Sequence, residues 1–254
     1  MERRTLLGRL TWQLGEVVAT RPETPRTKSI TLALPNWMGH RAGQHVDVRL
    51  TAEDRYQAER SYSIASPPEE APHVTLTVER LDDGEVSPYL TEELRVGDKL
   101  ELRGPIGGYF VWEASMSMGG PLLLVAGGSG IVPLMAMIRH RAAIGSTVPT
   151  RLLYSSRSFE DIIYREQLMR LDEADQMLEV VHTLTRSHPP GWTGYARRID
   201  FEMLREVAWP ADQHPLTFIC GPTPFVETAA AGLVALGHEP AHIKTERFGP
   251  TGER

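Results

Sequence analysis

The chain has 254 residues, enough for one or two domains, and its 41% hydrophobic and 24% charged residues exclude a disordered or fibrous protein. A formal net charge of −6 argues against a general nucleic-acid binder, because contact with phosphates needs a basic face. No apolar run reaches the roughly 20 residues of a membrane helix. The arginines that follow Met1 precede no apolar segment, so neither a membrane partner nor a signal peptide is predicted.

The first half of the chain has the pattern of short strands. Val74, Leu76 and Val78 alternate with polar residues, which is the period of a half-buried strand. A short helix over Pro88–Leu94, with Ser87 as its N-cap, is the one helix expected there. Six short strands and one small helix predict a closed antiparallel barrel. The predicted strands are Thr11–Ala19, Ser29–Leu34, Gln44–Leu50, Arg60–Ala65, His73–Arg80 and Lys99–Arg103.

One of these strands carries side chains suited to a cofactor. Along the strand, Arg60 and Tyr62 share one face, and Ser61 and Ser63 share the other. An arginine can pair with a phosphate and a tyrosine ring can stack on a planar cofactor, although simple cross-strand packing is the alternative. The segment Gly84–Ser87 offers a second anion site made of backbone amides and a capping hydroxyl.

After Trp112 the pattern changes. A stretch over 113–120 without periodicity is the predicted linker, so we expect a first domain at 1–112 and a second at 121–254. In the second, apolar strands alternate with helices, which predicts a doubly wound parallel sheet. The predicted strands are Leu122–Ala126, Arg151–Ser155, Leu178–Thr185, Leu216–Cys220 and His242–Phe248, and the predicted helices are Pro133–Ile144, Arg165–Ala174, Asp200–Val207 and Thr223–Gly237.

A glycine-rich turn over Gly127–Pro133 follows the first of these strands and opens the first helix. Glycines there let backbone amides approach a pyrophosphate, and the helix N-terminus favours its negative charge. A merely tight turn is the alternative, since the GxGxxG fingerprint is absent. We expect nucleotide binding by Gly127, Gly128, Ser129, Gly130 and Pro133.

Arginines at the strand ends favour NADPH over NADH. Arg157 stands where an acidic residue would bind a ribose, and Arg186 ends the following strand at the same carboxyl edge of the sheet. A cationic clamp there would bind a 2′-phosphate. Arg197 and Arg198 lie just beyond. The alternative is that all four arginines are solvated surface charges with no role in coenzyme binding.

The only cysteine, Cys220, opens the segment Cys220-Gly221-Pro222 at the end of the last apolar core strand, where a doubly wound sheet places its ligand. We expect it to contact the reacting ring, and a merely structural buried cysteine is the alternative. One thiol builds neither a disulfide nor a four-cysteine cluster, and the nine histidines show no metal-ligand spacing. We therefore expect no metal, a cytoplasmic location, and any cluster chemistry on another polypeptide.

These motifs together resemble the ferredoxin–NADP reductase superfamily, and most of all the bacterial reductase components of oxygenases without their plant-type ferredoxin domain. The similarity runs from about residue 11 to 248 and rests on the order and spacing of the motifs. The motifs are Arg60–Ser63, Gly84–Ser87, Gly104–Gly107, Gly127–Pro133, Cys220–Pro222 and Glu246–Phe248.

The resemblance implies a flavin-binding barrel and an NAD(P)-binding sheet domain, with hydride passing from nicotinamide C4 to flavin N5. It implies that Arg60 binds a flavin phosphate, Tyr62 stacks on the isoalloxazine and Ser63 hydrogen-bonds near N5. The implied catalytic residues are Ser63, Cys220 and Glu246. The implied flavin-site residues are Arg60, Ser61, Tyr62, Ser63, Val78, Gly84, Val86, Ser87 and Phe248. The implied nucleotide-site residues are Gly127, Gly128, Ser129, Gly130, Pro133, Arg157, Arg186, Arg198, Cys220, Gly221, Pro222 and Phe225.

Phe248 takes the place of an aromatic residue that covers the flavin in many members, but this chain continues six residues past it, to Arg254. We expect an NAD(P)H-dependent flavoprotein reductase that passes electrons from NADPH through FAD to a ferredoxin or an iron–sulfur oxygenase component. FMN in place of FAD and NADH in place of NADPH are open alternatives. A free-flavin or quinone reductase, or a non-catalytic electron-transfer subunit, are the alternative functions. The intact turn at Gly127 and the intact Cys220–Pro222 segment argue against such a subunit.

Overall fold

A computed structural model describes residues 10–117 and 120–249. Three sequence predictions involve residues outside these ranges. They are the absence of a signal peptide at residues 1–9, part of the linker at 118–119, and the continuation of the chain past Phe248 at 250–254. The division into domains at 1–112 and 121–254 stays a prediction.

The first half folds into a closed antiparallel barrel, as predicted. Directly after the fourth strand, Ile64 forms an antiparallel bridge with Leu76 of the fifth, and the Ala65 amide donates to the Thr75 carbonyl. This contact joins the two ends of a sheet whose order is β4-β3-β6-β1-β2-β5. The strands are β1 (Trp12–Thr24), β2 (Thr27–Ala33), β3 (His45–Thr51), β4 (Gln57–Ser63), β5 (His73–Glu79) and β6 (Lys99–Ile106).

The loop before the short helix of the barrel differs from the prediction. The helix spans Tyr89–Glu93 and follows Pro88, and no side chain caps it. The Ser87 hydroxyl instead accepts a hydrogen bond from the Leu81 amide at 3.0 Å. The prediction of Ser87 as N-cap was therefore wrong, because a backbone donor from the preceding loop takes the oxygen first.

The second half is a five-stranded parallel sheet in the order β11-β10-β7-β8-β9, with helices on both faces. The predicted doubly wound sheet is confirmed. The strands are β7 (Leu122–Gly127), β8 (Thr150–Ser156), β9 (Leu178–Leu184), β10 (Leu216–Pro222) and β11 (Ile243–Phe248). The helices are α1 (Ile131–Ala143), α2 (Arg165–Ala174), α3 (Phe201–Val207) and α4 (Thr223–Ala235).

Strand β7 shows why these strands are continuous apolar runs. Leu122, Leu124 and Ala126 pack with α1 and α2, whereas Leu123 and Val125 pack with α3 and α4. Both faces of the strand are thus buried, which is the ordinary state of a parallel sheet. The chain reverses its winding between β7 and β10, so their carboxyl ends flank the crevice where such folds bind ligands.

Hydrogen bonds tie the barrel to the parallel sheet. The Tyr164 hydroxyl, next to α2, donates to Thr77 Oγ1 of β5 at 2.6 Å. The guanidinium of Arg139 in α1 donates to the Ala65 carbonyl at 2.7 Å and lies over the Tyr164 ring. Tyr164 is almost completely buried, with 2% of its surface exposed. These contacts fix the barrel against the face of the sheet that α1 and α2 cover.

Candidate functional site

Strand β4 and the loop before the short helix lie side by side at one edge of the barrel. Arg60 Nη2 donates to the Glu85 carboxylate at 3.0 Å, so the two motifs predicted to bind flavin phosphates are joined by an ion pair. The hydroxyl of Tyr56 donates to the same carboxylate at 2.9 Å. The segment Gly84–Ser87 is closely packed around Gly84, since a Cβ on this residue would lie 3.0 Å from Ser87 Oγ.

Tyr62 lies on the same face of β4 as Arg60 and is partly buried against the barrel core. Burial raises the pKa of Tyr62 to about 12, although the nearby Arg60 lowers it in part. The phenol is therefore neutral across the physiological range. A neutral aromatic ring beside a guanidinium suits a planar, phosphate-bearing cofactor.

Ser61, Val78 and Val86 are among the predicted flavin-site residues whose side chains do not lie on this face. Ser61 Oγ donates to Asp47 Oδ1 at 2.7 Å, because alternation along β4 turns this residue over. Val78 and Val86 are buried in the core of the barrel. The assignment of these three residues to a flavin site stays a prediction, and the buried side chains of Val78 and Val86 leave their main chains as the groups that would meet a cofactor.

The glycine turn between β7 and α1 comes very close to strand β10. A Cβ on Gly130 would lie 2.1 Å from the Cys220 carbonyl oxygen, so only glycine allows this approach. Gly128 has a φ of +55°, and a Cβ there would meet nothing within 4 Å. The turn thus has an open side. Ser129 is half-buried within it, and Pro133 is buried in the first turn of α1.

Phe225 occupies part of the crevice between β7 and β10. A Cβ on Gly127 would lie 3.0 Å from its ring, and a Cβ on Gly221 would lie 2.7 Å from it. Both glycines are therefore needed for the packing of this ring. Beside it, after the exposed Pro222, the Thr223 hydroxyl is buried and has no hydrogen-bond partner among the described residues.

Three predicted catalytic side chains meet where the barrel touches the sheet. Cys220 of β10 and Glu246 of β11 are in register on neighbouring strands, and Ser63 Oγ donates to Glu246 Oε1 at 3.4 Å. Burial, together with the nearby Glu246, raises the pKa of the Cys220 thiol. Burial also raises the pKa of Glu246, which the Ser63 hydroxyl lowers only in part. The cluster is thus a neutral thiol next to a carboxyl group that resists ionisation.

The arginines predicted to bind a 2′-phosphate lie at the carboxyl edge of the sheet. The Arg186 amide donates to the Arg157 carbonyl at 2.8 Å, so these two residues are neighbours after β8 and β9. Arg157, Arg186 and Arg198 are exposed, and within 10–117 and 120–249 none of their guanidinium groups forms an ion pair. Arg197 differs, because it pairs with Asp200 at 2.9 Å and lies over the Tyr195 ring.

Phe248 ends β11 in register with Pro222 and is 38% exposed, at the same edge as Glu246. The sequence interpretation missed two residues of the site, Tyr56 and Glu85. An acidic side chain inside a predicted anion site was the available signal. The part of the chain that the structure describes has no group of three His, Cys, Asp or Glu side chains that could hold a metal, and no helix long and apolar enough to cross a membrane.

Donors and shapes at these positions fit a flavin and a nicotinamide nucleotide. Arg60 and Tyr62 offer a cation and a neutral ring, and Gly128 leaves open space in front of the turn. The Thr223 hydroxyl and the guanidinium groups of Arg157, Arg186 and Arg198, none of which has a side-chain partner among the described residues, provide hydrogen-bond donors along one edge of the sheet. An anionic dinucleotide would satisfy these donors.

Comparisons with known proteins match both halves of the chain. A model of the oxidoreductase FAD-binding domain matches residues 16–111, and a model of the oxidoreductase NAD-binding domain matches residues 124–231. Ferredoxin–NADP reductase B of Sorangium cellulosum is 32% identical over 242 residues, which cover 92% of this chain and 96% of that protein.

Other relatives are longer than this chain. The glycine betaine monooxygenase reductase subunit of Chromohalobacter salexigens is 32% identical over 211 residues, which cover 82% of this chain but only 56% of that protein. Among solved structures, the flavohem-like FAD/NAD-binding domain of nitric oxide dioxygenase from Vibrio cholerae O1 biovar El Tor has a TM-score of 0.84. It is 23% identical and covers 94% of this chain and 99% of its own, which supports the fold alone.

Proposed function

The chain belongs to the ferredoxin–NADP reductase superfamily, and from this premise we propose that it is a reductase that passes electrons from NADPH through FAD to a separate redox protein. The observation that carries the proposal is the cluster of Ser63, Cys220 and Glu246, which joins the barrel to the nucleotide-binding sheet. A hydride donor on the sheet and an acceptor in the barrel would meet at this cluster.

Bound FAD would supply the redox chemistry, which couples the two electrons of a nicotinamide to one-electron acceptors. The residues of the chain bind and orient the reactants. Tyr62 offers a neutral ring for stacking, and Arg60 offers a guanidinium for a phosphate. The segment from Gly128 to Gly130 would offer main-chain amides to the pyrophosphate of a nucleotide, because the side of the turn at Gly128 is open.

The cluster between the two halves orients the reacting groups and limits access of water. Cys220 is 2% exposed, and its thiol stays protonated because burial and Glu246 raise its pKa. Ser63 holds the Glu246 carboxyl through its hydroxyl. A shielded floor favours close alignment of the two rings, and such alignment accounts for much of the rate in reactions of this type.

We propose NADPH as the preferred donor and a small iron–sulfur protein as the acceptor. Arg157, Arg186 and Arg198 form the proposed clamp for the 2′-phosphate. The name of the Chromohalobacter relative describes a reductase subunit, which supports transfer to a separate protein. The single cysteine cannot build a four-cysteine cluster in this chain, so any such cluster would lie on the partner, and the cysteine count is compatible with the proposed reducing, cytoplasmic location.

Acceptor choice tests this proposal. FAD-loaded protein with NADPH should reduce cytochrome c much faster when a plant-type [2Fe–2S] ferredoxin is added as an intermediate carrier. Free flavin and a soluble quinone serve as competing acceptors in parallel assays. Turnover that needs free flavin or quinone, and gains nothing from the ferredoxin, would instead favour a free-flavin or quinone reductase.

A further inference from the structure

The carboxylate of Glu85 lies where the proposed function places a flavin phosphate. One oxygen, Oε2, accepts from Arg60 Nη2 at 3.0 Å, and the other, Oε1, accepts from the Tyr56 hydroxyl at 2.9 Å. Both oxygens are engaged, and Arg60 already has an anionic partner. Gly84 and Ser87, the neighbours of Glu85 in this loop, belong to the predicted phosphate site.

Other acidic groups near Arg60 do not share this position. Glu59 precedes it on β4, but its carboxylate faces Arg49 at 3.9 Å and Arg103 at 3.6 Å. Only the main-chain carbonyl of Glu59 contacts Arg60. Glu85 is therefore the one acidic side chain that pairs with Arg60 among the described residues.

The ion pair between Arg60 and Glu85 is weak enough for Arg60 to leave Glu85 for another anion. The two side chains are 52% and 50% exposed, so neither is held in place by burial. Ion pairs at this exposure are weak and open readily. The pyrophosphate of FAD as a whole carries two negative charges and more acceptor oxygens than one carboxylate, so it is the stronger partner for the guanidinium of Arg60.

We propose that Glu85 is an internal competitor for the flavin phosphate, which holds Arg60 before FAD binds and releases it when the phosphate takes its place. The inference rests on the proposed function, because it requires a flavin phosphate at Arg60. Glu85 then lowers the affinity for FAD in two ways. Its pairing with Arg60 must be broken, and its negative charge afterwards remains beside the phosphate.

Salt dependence gives the competition a specific signature. In the wild-type protein, FAD binding replaces one ion pair of Arg60 by another, so the number of ion pairs changes little. In Glu85→Gln, binding creates an ion pair that did not exist before. The affinity of this variant for FAD should therefore fall more steeply with rising salt than that of the wild type.

Tyr56 positions the competitor. Its hydroxyl bonds Glu85 Oε1, and this contact raises the pKa of Tyr56, so the hydroxyl stays a protonated donor. Tyr56→Phe removes one of the two bonds that hold the carboxylate in the site. We expect this variant to bind FAD more tightly than the wild type, by less than Glu85→Gln does.

The test is a titration of the apoprotein with FAD at low and at high salt, in which the quenching of flavin fluorescence measures binding. Glu85→Gln should lower the Kd for FAD by about threefold to tenfold at low salt, with a smaller gain at high salt. Glu59→Gln removes the same charge from the neighbouring position and is the matched control, with an expected change of less than about twofold. In an Arg60→Ala background, Glu85→Gln should lose most of its effect, since the two side chains act as a pair.

The outcomes separate this inference from the proposed function. The flavin site stands if the wild-type protein binds FAD and if Arg60→Ala weakens that binding. If Glu85→Gln then leaves the Kd unchanged or raises it, the competition does not exist and Glu85 is neutral or helps to orient Arg60. Absence of FAD binding to the wild type, or full affinity in Arg60→Ala, would remove the flavin site and this inference with it. Melting curves of Glu85→Gln and Tyr56→Phe check that both variants fold.

Discussion

Glu246 is the acidic residue of the cluster between the two halves. Burial raises its pKa in the folded protein, so the folded state favours the neutral carboxyl. Such a group contributes its stability below the pKa of the unfolded chain, near 4.3, and loses it as pH rises through the folded pKa. At neutral pH the ionised Glu246 is therefore a cost to folding.

Glu246→Gln removes that cost while keeping an acceptor for the Ser63 hydroxyl. The melting temperature of this variant should exceed that of the wild type at pH 7 and above, and the difference should vanish as pH falls towards about 4. Thermal melts across pH measure this directly. A variant less stable than the wild type at every pH would mean that the carboxylate makes a net favourable contact in the folded protein.

The arginine clamp is the second prediction at the residue scale. Each charge-assisted hydrogen bond to a 2′-phosphate is worth about 1.5–3 kcal/mol, which corresponds to roughly tenfold or more in affinity. Arg157→Ala and Arg186→Ala should each raise KM for NADPH by about tenfold and leave KM for NADH nearly unchanged. Arg205→Ala, an exposed arginine of α3 paired with Glu202, is the control. Equal effects on the KM values of both coenzymes would show that these arginines do not recognise the 2′-phosphate.

Residue pairing was the least predictable part of the site. Arg60, Tyr62 and Ser63 could be singled out, because alternation along a strand fixes which side chains share a face. The partner of Arg60 could not, since Glu85 is 25 residues away in a loop whose path depends on the Ser87–Leu81 hydrogen bond. Val78 and Val86 were assigned to the flavin site by resemblance, although their apolar side chains fill the barrel core.

At the scale of elements, apolar runs such as Leu122–Ala126 and Leu216–Cys220 predict the parallel strands to within two residues of their observed bounds. Strand β1 was predicted to end at Ala19, but it continues to Thr24. The added residues, Thr20 to Thr24, are half-exposed or exposed and include no large apolar side chain, and they are ordered by pairing with β2 rather than by a hydrophobic face. Periodicity carries no signal for such an extension.

The contact of Tyr164 with Thr77 gives a prediction at this scale, because it joins the α2 region to β5. Tyr164→Phe leaves the buried Thr77 hydroxyl without this donor and should lower the free energy of unfolding by about 1–2 kcal/mol. Tyr195→Phe, which removes an exposed hydroxyl bonded to Glu206, should cost much less. Urea unfolding of both variants provides the comparison. Equal losses in the two would show that the Tyr164 contact is not a buried tie between the halves.

At the scale of the whole molecule, the two sheets bring a proposed flavin strand and a proposed nucleotide crevice to one shared cluster. Ser63 comes from the barrel, and Cys220 and Glu246 come from the parallel sheet. Neither half contains the cluster alone. The central claim is therefore that hydride passes from a nicotinamide on the sheet to a flavin in the barrel at this junction.

The measurement that tests this claim most directly is anaerobic single-turnover reduction of the FAD-loaded protein by NADPH and by NADPH deuterated at C4. The flavin spectrum should bleach with NADPH, the deuterated coenzyme should react more slowly, and Cys220→Ala should slow the step without loss of bound FAD. Failure of NADPH to reduce the bound FAD would contradict the claim. Reduction at an unchanged rate in Cys220→Ala would remove Cys220 from the site of transfer.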